Sequence, residues 1–163
     1  MCIRDSLIAG SYHGFNIYEL DEDGIPNLIS SVVCPGGQGD VSIVGDLLIM
    51  SVEENRSRLD CGLEGINSDS SPERFRGIRI FDVSNLSKPK QVGAVQTCRG
   101  SHTHSVVSTT KDNKIIVYNS GTGRVRDNEE KAECFGWDGG GSSYFSIDAV
   151  SYTHLTLPTS SRV

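Results

Sequence analysis

The sequence predicts an all-β chain assembled from repeated four-stranded units, and three observations carry the prediction. Glycine opens a short strand twice, as Gly14 in GFNIYEL (14–20) and as Gly77 in GIRIFDV (77–83), and each strand enters a turn that ends in proline. Gly14 and Gly77, Ile17 and Ile80, Tyr18 and Phe81, Glu19 and Asp82, and Pro26 and Pro89 all match at one offset, the 63 residues that separate Pro26 from Pro89. Each copy continues into an apolar run, then into two further runs split by a tight turn: DVSIV with LLIMSV, and HSVVS with KIIVYNS. Without the insertion between Val52 and Arg76, the offset falls into the ~40–50-residue range of repeats built from four-stranded blades. The fold expected is a fragment of a β-propeller, about two four-stranded antiparallel blades plus the start of a third.

The elements follow in order. LIAGS (7–11) reads as a strand ending at Tyr12-His13, and GFNIYEL supplies the β-branched and aromatic residues that suit a pleated, packed surface. DEDGIPN (21–27) is a turn. Its D-x-D-G start is shared with calcium loops, but the later ligands and closing glutamate are missing. LISSVV (28–33) is the next strand, and CPGGQGD (34–40) crosses to the following unit. That loop lacks the Gly-Lys-Ser/Thr ending and the helix start of a phosphate loop, so its glycines read as backbone freedom. DVSIV (40–44) and LLIMSV (47–52) lead to the first insertion, 53–75, which is polar and contains Cys61. GIRIFDV, the SNLSKP turn and QVGAVQT (91–97) repeat the pattern. HSVVS (104–108) and KIIVYNS (114–120) then reach a second insertion, 121–142, with Cys134, Trp137 and the triple glycine 139–141. YFSIDAV (144–150) begins the strand motif a third time.

Both ends read as foreign. Residues 1–6 and 151–163 resemble translated sequencing-adaptor sequence, which leaves 7–150 as the native part of a longer, multi-bladed protein. Such a piece is expected to aggregate when expressed alone, because an open ring leaves strand edges and blade faces uncovered. A net charge of −6 without a Lys/Arg cluster argues against nucleic acid, and no apolar run reaches the ~18 residues of a membrane span. Cys34, Cys61, Cys98 and Cys134 are even in number, widely spaced and free of C-x-x-C pairs, which points to disulfides in an exported protein. Three connectivities are open; pairing within the insertions, Cys61 with Cys134, is the one expected.

In an antiparallel meander, successive connections alternate between the two ends of the sheet. The crossings and the insertions therefore share one face, which collects His13, Asp40, Glu53, Arg99, His102, His104 and the four cysteines. Loops on a rigid scaffold are where binding and catalysis sit, so these are the candidate site residues. Alternate residues of a strand project the same way, so His102 and His104 of SHTH are candidate ligands for one divalent metal ion, with His13 and an oxygen from Glu53 or Asp40. The competing reading makes His104 a structural cap on the innermost strand. Glu19 and Asp82 read as turn hydrogen-bonders. Arg56, Arg58, Arg74, Arg76 and Arg79 read as a solvated set balanced by Glu53, Glu54, Asp60 and Glu73, and no serine sits in a G-x-S-x-G elbow.

The repeated G-[IFL]-x-I-[FY]-[DE]-[VL] strand, the proline after it and the D-V-x-[IV]-x-G-x-L-x-[IVM] pair resemble the LVIVD-repeat β-propeller family, across everything between the two ends. YHGFNIYEL, VVCPGGQGDVSI, SVEENRSRLDCG, RFRGIRIFDVS and VQTCRGSHTHSVV are similar to an exported bacterial subgroup with no assigned activity. The resemblance implies a multi-bladed ring in the periplasm or outside the cell, and it supplies no catalytic residues. Two functions stay in view: a non-enzymatic scaffold for binding a protein or small molecule, and a metal-dependent oxidoreductase or hydrolase on the loop-bearing face.

Overall fold

A computed structural model describes residues 2–3, 5–109, 114–136, 147–153 and 156–162. The described part is all-β. Its strands are β1 (Cys2–Ile3), β2 (Ser6–Ser11), β3 (Gly14–Leu20), β4 (Pro26–Val33), β5 (Val41–Val44), β6 (Leu47–Val52), β7 (Gly77–Asp82), β8 (Lys90–Gln96), β9 (Thr103–Thr109), β10 (Lys114–Ser120), β11 (Ile147–Thr153) and β12 (Thr156–Arg162). They form three four-stranded antiparallel meanders in chain order, β1 to β4, β5 to β8 and β9 to β12. The segments read as foreign pair as strands: β1 flanks β2, and β12 flanks β11. The turn at 111–113, Trp137, the triple glycine and residues 144–146 of the third motif copy lie outside the described residues.

The repeat has a structural reason at its first residue. Gly14 and Gly77 open β3 and β7 with φ of +134° and +148°, a region that side-chain-bearing residues rarely adopt. A Cβ at Gly14 would lie 2.0 Å from the Val32 carbonyl oxygen, and one at Gly77 would lie 1.9 Å from that of Val95. The adjoining strand passes too close for any other residue. The copies also share a β-bulge: register shifts between Ile17 and Tyr18 against β4, and between Ile80 and Phe81 against β8. Carboxylates hold both turns, but in the first copy the residue is Asp21 and not the expected Glu19. The Asp21 carboxylate accepts the backbone N–H groups of Asp23 at 3.0 Å and Ile25 at 2.8 Å, and Asp82 accepts that of Ser84 at 2.8 Å.

The sheets pack face to face. Ile8, Phe15 and Ile17 of the first sheet meet Leu48, Met50 and Phe81 of the second, with Phe15 and Phe81 edge to face at 5.1 Å between ring centres. On the opposite face of the second sheet, Leu47, Ile49, Ile78 and Ile80 meet Ile115 and Val117 of the third. Alternation along a strand sends neighbours to opposite faces, and here both faces are covered. This explains why LLIMSV is an unbroken apolar run and why every residue of β6 is buried.

Two kinds of connection leave two different edges. The β5–β6 and β7–β8 turns are short. The other edge carries the crossings 34–40 and 97–102, the insertion 53–76 and the described part of the second insertion, 121–136, which lie over one another. Disulfides join Cys34 to Cys61 and Cys98 to Cys134. This overturns the expected Cys61–Cys134 pairing. Each crossing lies against the insertion that follows it, as the Gly36 carbonyl accepting Glu53 N–H at 2.8 Å and the Cys98 carbonyl accepting Arg126 N–H at 3.0 Å demonstrate. The cysteines that can meet therefore belong to one crossing and one insertion.

Candidate functional site

The candidate residues gather at the loop-bearing edge in three groups. Glu53 follows β6 directly, and His102 lies in the bend before β9, whose first residue is Thr103. The Glu53 Oε1 lies 2.7 Å from His102 Nδ1, and Oε2 accepts the Thr122 hydroxyl at 2.6 Å. Glu53 thereby joins the second crossing to the second insertion, and fixes a ring whose side chain is 35% exposed.

The second group lies deeper. Ser51 Oγ is 2.8 Å from His104 Nδ1 and 2.7 Å from Ser101 Oγ. Asp40 accepts the Thr103 hydroxyl at 2.8 Å and the His104 backbone N–H at 3.1 Å, and stands 3.5 Å from His104 Nδ1. A Ser-His-Asp relay needs the nucleophile on one ring nitrogen and the carboxylate on the other. Here both address Nδ1, and Ser51 is 1% exposed. The arrangement is not a charge relay; it ties β6 to the start of β9. Burial pushes the His104 imidazole below its ordinary value of 6.5, and Asp40 opposes the shift.

His13 and Arg99 stand apart from these rings. His13 sits exposed in the turn before β3, where its carbonyl accepts the Cys34 N–H at 2.8 Å. Arg99 donates to the carbonyls of Gly123 at 2.9 Å and Thr122 at 3.1 Å, stapling the second insertion. The expected convergence of His13, His102 and His104 does not form, because His102 precedes the strand and the two later rings take different partners. Among the described residues, no three His, Cys, Asp or Glu side chains are placed to hold one metal ion.

The third group escaped the sequence reading. Of the arginines expected to be solvated, Arg58 does pair at 2.8 Å with Asp60 and with Glu73. Arg74, Arg76 and Arg79 are buried instead, together with Arg126. Arg79 lies 4.1 Å over the Phe75 ring and donates to the carbonyls of Leu59 and Arg58 and to Gln91, pinning the first insertion to β7. Arg74 and Arg126 clasp Glu130 from the second insertion, and Ser71 N–H adds a bond to it at 2.9 Å. For Arg74 and Arg126 desolvation is offset by carbonyls and the Glu130 carboxylate, whereas the Nε atoms of Arg76 and Arg79 are buried without a partner among the described residues. The available signal was RFR at 74–76 and RVR at 124–126, two pairs of alternate arginines, each straddling a residue that turns out to be buried, Phe75 and Val125.

Among the described residues no helix is long and apolar enough to cross a membrane. The two disulfides suit an oxidising compartment. No protein family, curated protein or solved structure matches the chain.

Proposed function

We propose that the chain is part of a β-propeller serving as a non-enzymatic binding scaffold, exported to the bacterial envelope or beyond the cell. The observation that carries this reading is the asymmetry of the two edges. One bears short turns, while the other bears both insertions, tied down by two disulfides and by Glu130. Long connections held rigid on one side of stacked sheets are the arrangement in which binding loops are displayed. The repeat, the shared bulge and the face-to-face packing support a blade as the unit. The two disulfides support an exported location.

A metal-dependent enzyme is the competing reading. It has one observation on its side, the His102 ring oriented by a carboxylate as metal-ligating histidines are. Elemental analysis after loading with zinc, iron or copper, combined with ester, phosphoester and redox assays, separates the two. The scaffold reading expects no stoichiometric metal and no turnover. Metal-dependent turnover that disappears in His102→Ala would overturn it.

A further inference from the structure

Between the two insertions lies a cavity of about 540 Å³. Arg56, Arg74, Arg76, Arg124 and Arg126 line it, against three carboxylates, Asp69, Asp127 and Glu130. This concentration of positive charge occurs in a chain whose net charge is −6, so it does not follow from composition.

Stapling the insertions accounts for only part of it. Arg74 donates to the carbonyls of Asn55, Ser68 and Asp69 as well as to Glu130, and Arg126 to Gln96, the Arg74 carbonyl and Glu130. Both forks are occupied. Arg76 differs. It is 2% exposed, its Nη1 donates to Asn55 Oδ1 at 2.8 Å, and its Nε is buried with no partner among the described residues. None of the described carboxylates lies within ion-pair distance of it. Burial and the charges of Arg126, Arg74 and Arg124 push Arg76 down to about 10, with Glu130 opposing. A desolvated guanidinium without a counter-charge is costly, and a buried polar atom without a partner calls for a missing group.

We propose that this cavity binds a small organic anion whose carboxylate or phosphate oxygens are taken by Arg76, with Arg124 and Arg56 at the rim. A guanidinium fork matches either oxyanion in two-point fashion. The volume falls in the ~300–1,000 Å³ range of small-molecule sites, and buried Ile66 and Val125 give the ligand body an apolar wall. The inference goes beyond the scaffold reading and does not depend on it, since all of its residues belong to this chain.

Titration calorimetry on the full chain tests the proposal, using inorganic phosphate, citrate and glucose 6-phosphate against sodium chloride at equal ionic strength. Saturable binding of at least one of the three is expected, weakened at least tenfold in Arg76→Gln. Citrate alone assigns a carboxylate ligand, the two phosphates alone a phosphate ligand. Should Arg76→Gln fail to fold, the exposed Arg124→Glu is expected to weaken binding at least threefold with the circular dichroism spectrum unchanged. No saturable binding at 10 mM of any anion, or binding unaltered in the folded variants, overturns the proposal.

Discussion

The spaces between the sheets and the layer of loops over one edge both bury side chains, but they hold them by different means. Between the sheets the contacts are mainly apolar, Ile17, Leu48 and Met50 on one side and Ile49, Ile80 and Val117 on the other, with the Ser51–His104 bond a polar exception. Over the edge, buried side chains include Arg74, Arg126 and Glu130, fixed by charge, carbonyls and the Cys98–Cys134 disulfide. Apolar packing is non-directional and tolerates many partners, whereas a buried arginine depends on acceptors placed to meet its donors. The loop layer is therefore the more specified region per residue, and the one in which a donor without an acceptor, such as Arg76 Nε, carries information.

The largest effect should come from the sheet interface. Phe81→Ala removes the ring packed on Phe15 and is expected to cost roughly 3–5 kcal/mol, as buried phenylalanine truncations do. Urea unfolding should register it as a loss of the whole structure, and a cost under ~1 kcal/mol would mean that the two sheets do not depend on each other. Next in size is the double replacement Cys98→Ser with Cys134→Ser. Closing a separation of 36 residues is worth ~2–4 kcal/mol by chain entropy, and here the effect should stay local. Hydrogen exchange is expected to speed up at the amides of Gly123 and Arg126, which bond to Arg99 and Cys98, and to leave β6 and β7 protected. Equal acceleration in β6 would erase the distinction between the two regions.

The same distinction explains what the sequence disclosed. Strand positions were legible because period, glycine and proline act locally: Gly77 must be glycine wherever the Val95 carbonyl passes 1.9 Å from its would-be Cβ. LLIMSV was legible as a strand, although burial on both faces depends on a third sheet far along the chain. Cysteine pairing was not legible, because it depends on which loop lies over which, and Cys34 and Cys98 occupy equivalent crossings whichever partner they take. The arginines were misread for a related reason. RFR at 74–76 is polar by composition, and the acceptors that make the burial of Arg74 tolerable lie far along the chain, Glu130 at 56 residues and the Asn55 carbonyl at 19. His102 and His104 fit the alternation of a strand, but β9 starts between them.

His104 stands where the two regions meet, between β6 and the second crossing, and its titration gives the smallest of these effects. The folded state holds the ring neutral by burial, below its ordinary 6.5, against the pull of Asp40. The unfolded chain protonates it near 6.5, so between that value and the folded one the unfolded state binds more protons. Stability from this group is therefore complete above about pH 6.5 and declines as the pH falls, with a slope of at most ~1.4 kcal/mol per unit. His104→Gln keeps a polar group near Ser51 Oγ but cannot titrate. The stability advantage of the wild type over this variant, from denaturant midpoints at pH 7.5, 6.0 and 5.0, should shrink at each step down the series. A constant advantage would show that the fold leaves the titration of the ring where the unfolded chain has it, and an advantage that grows as the pH falls would show that Asp40, rather than burial, governs it.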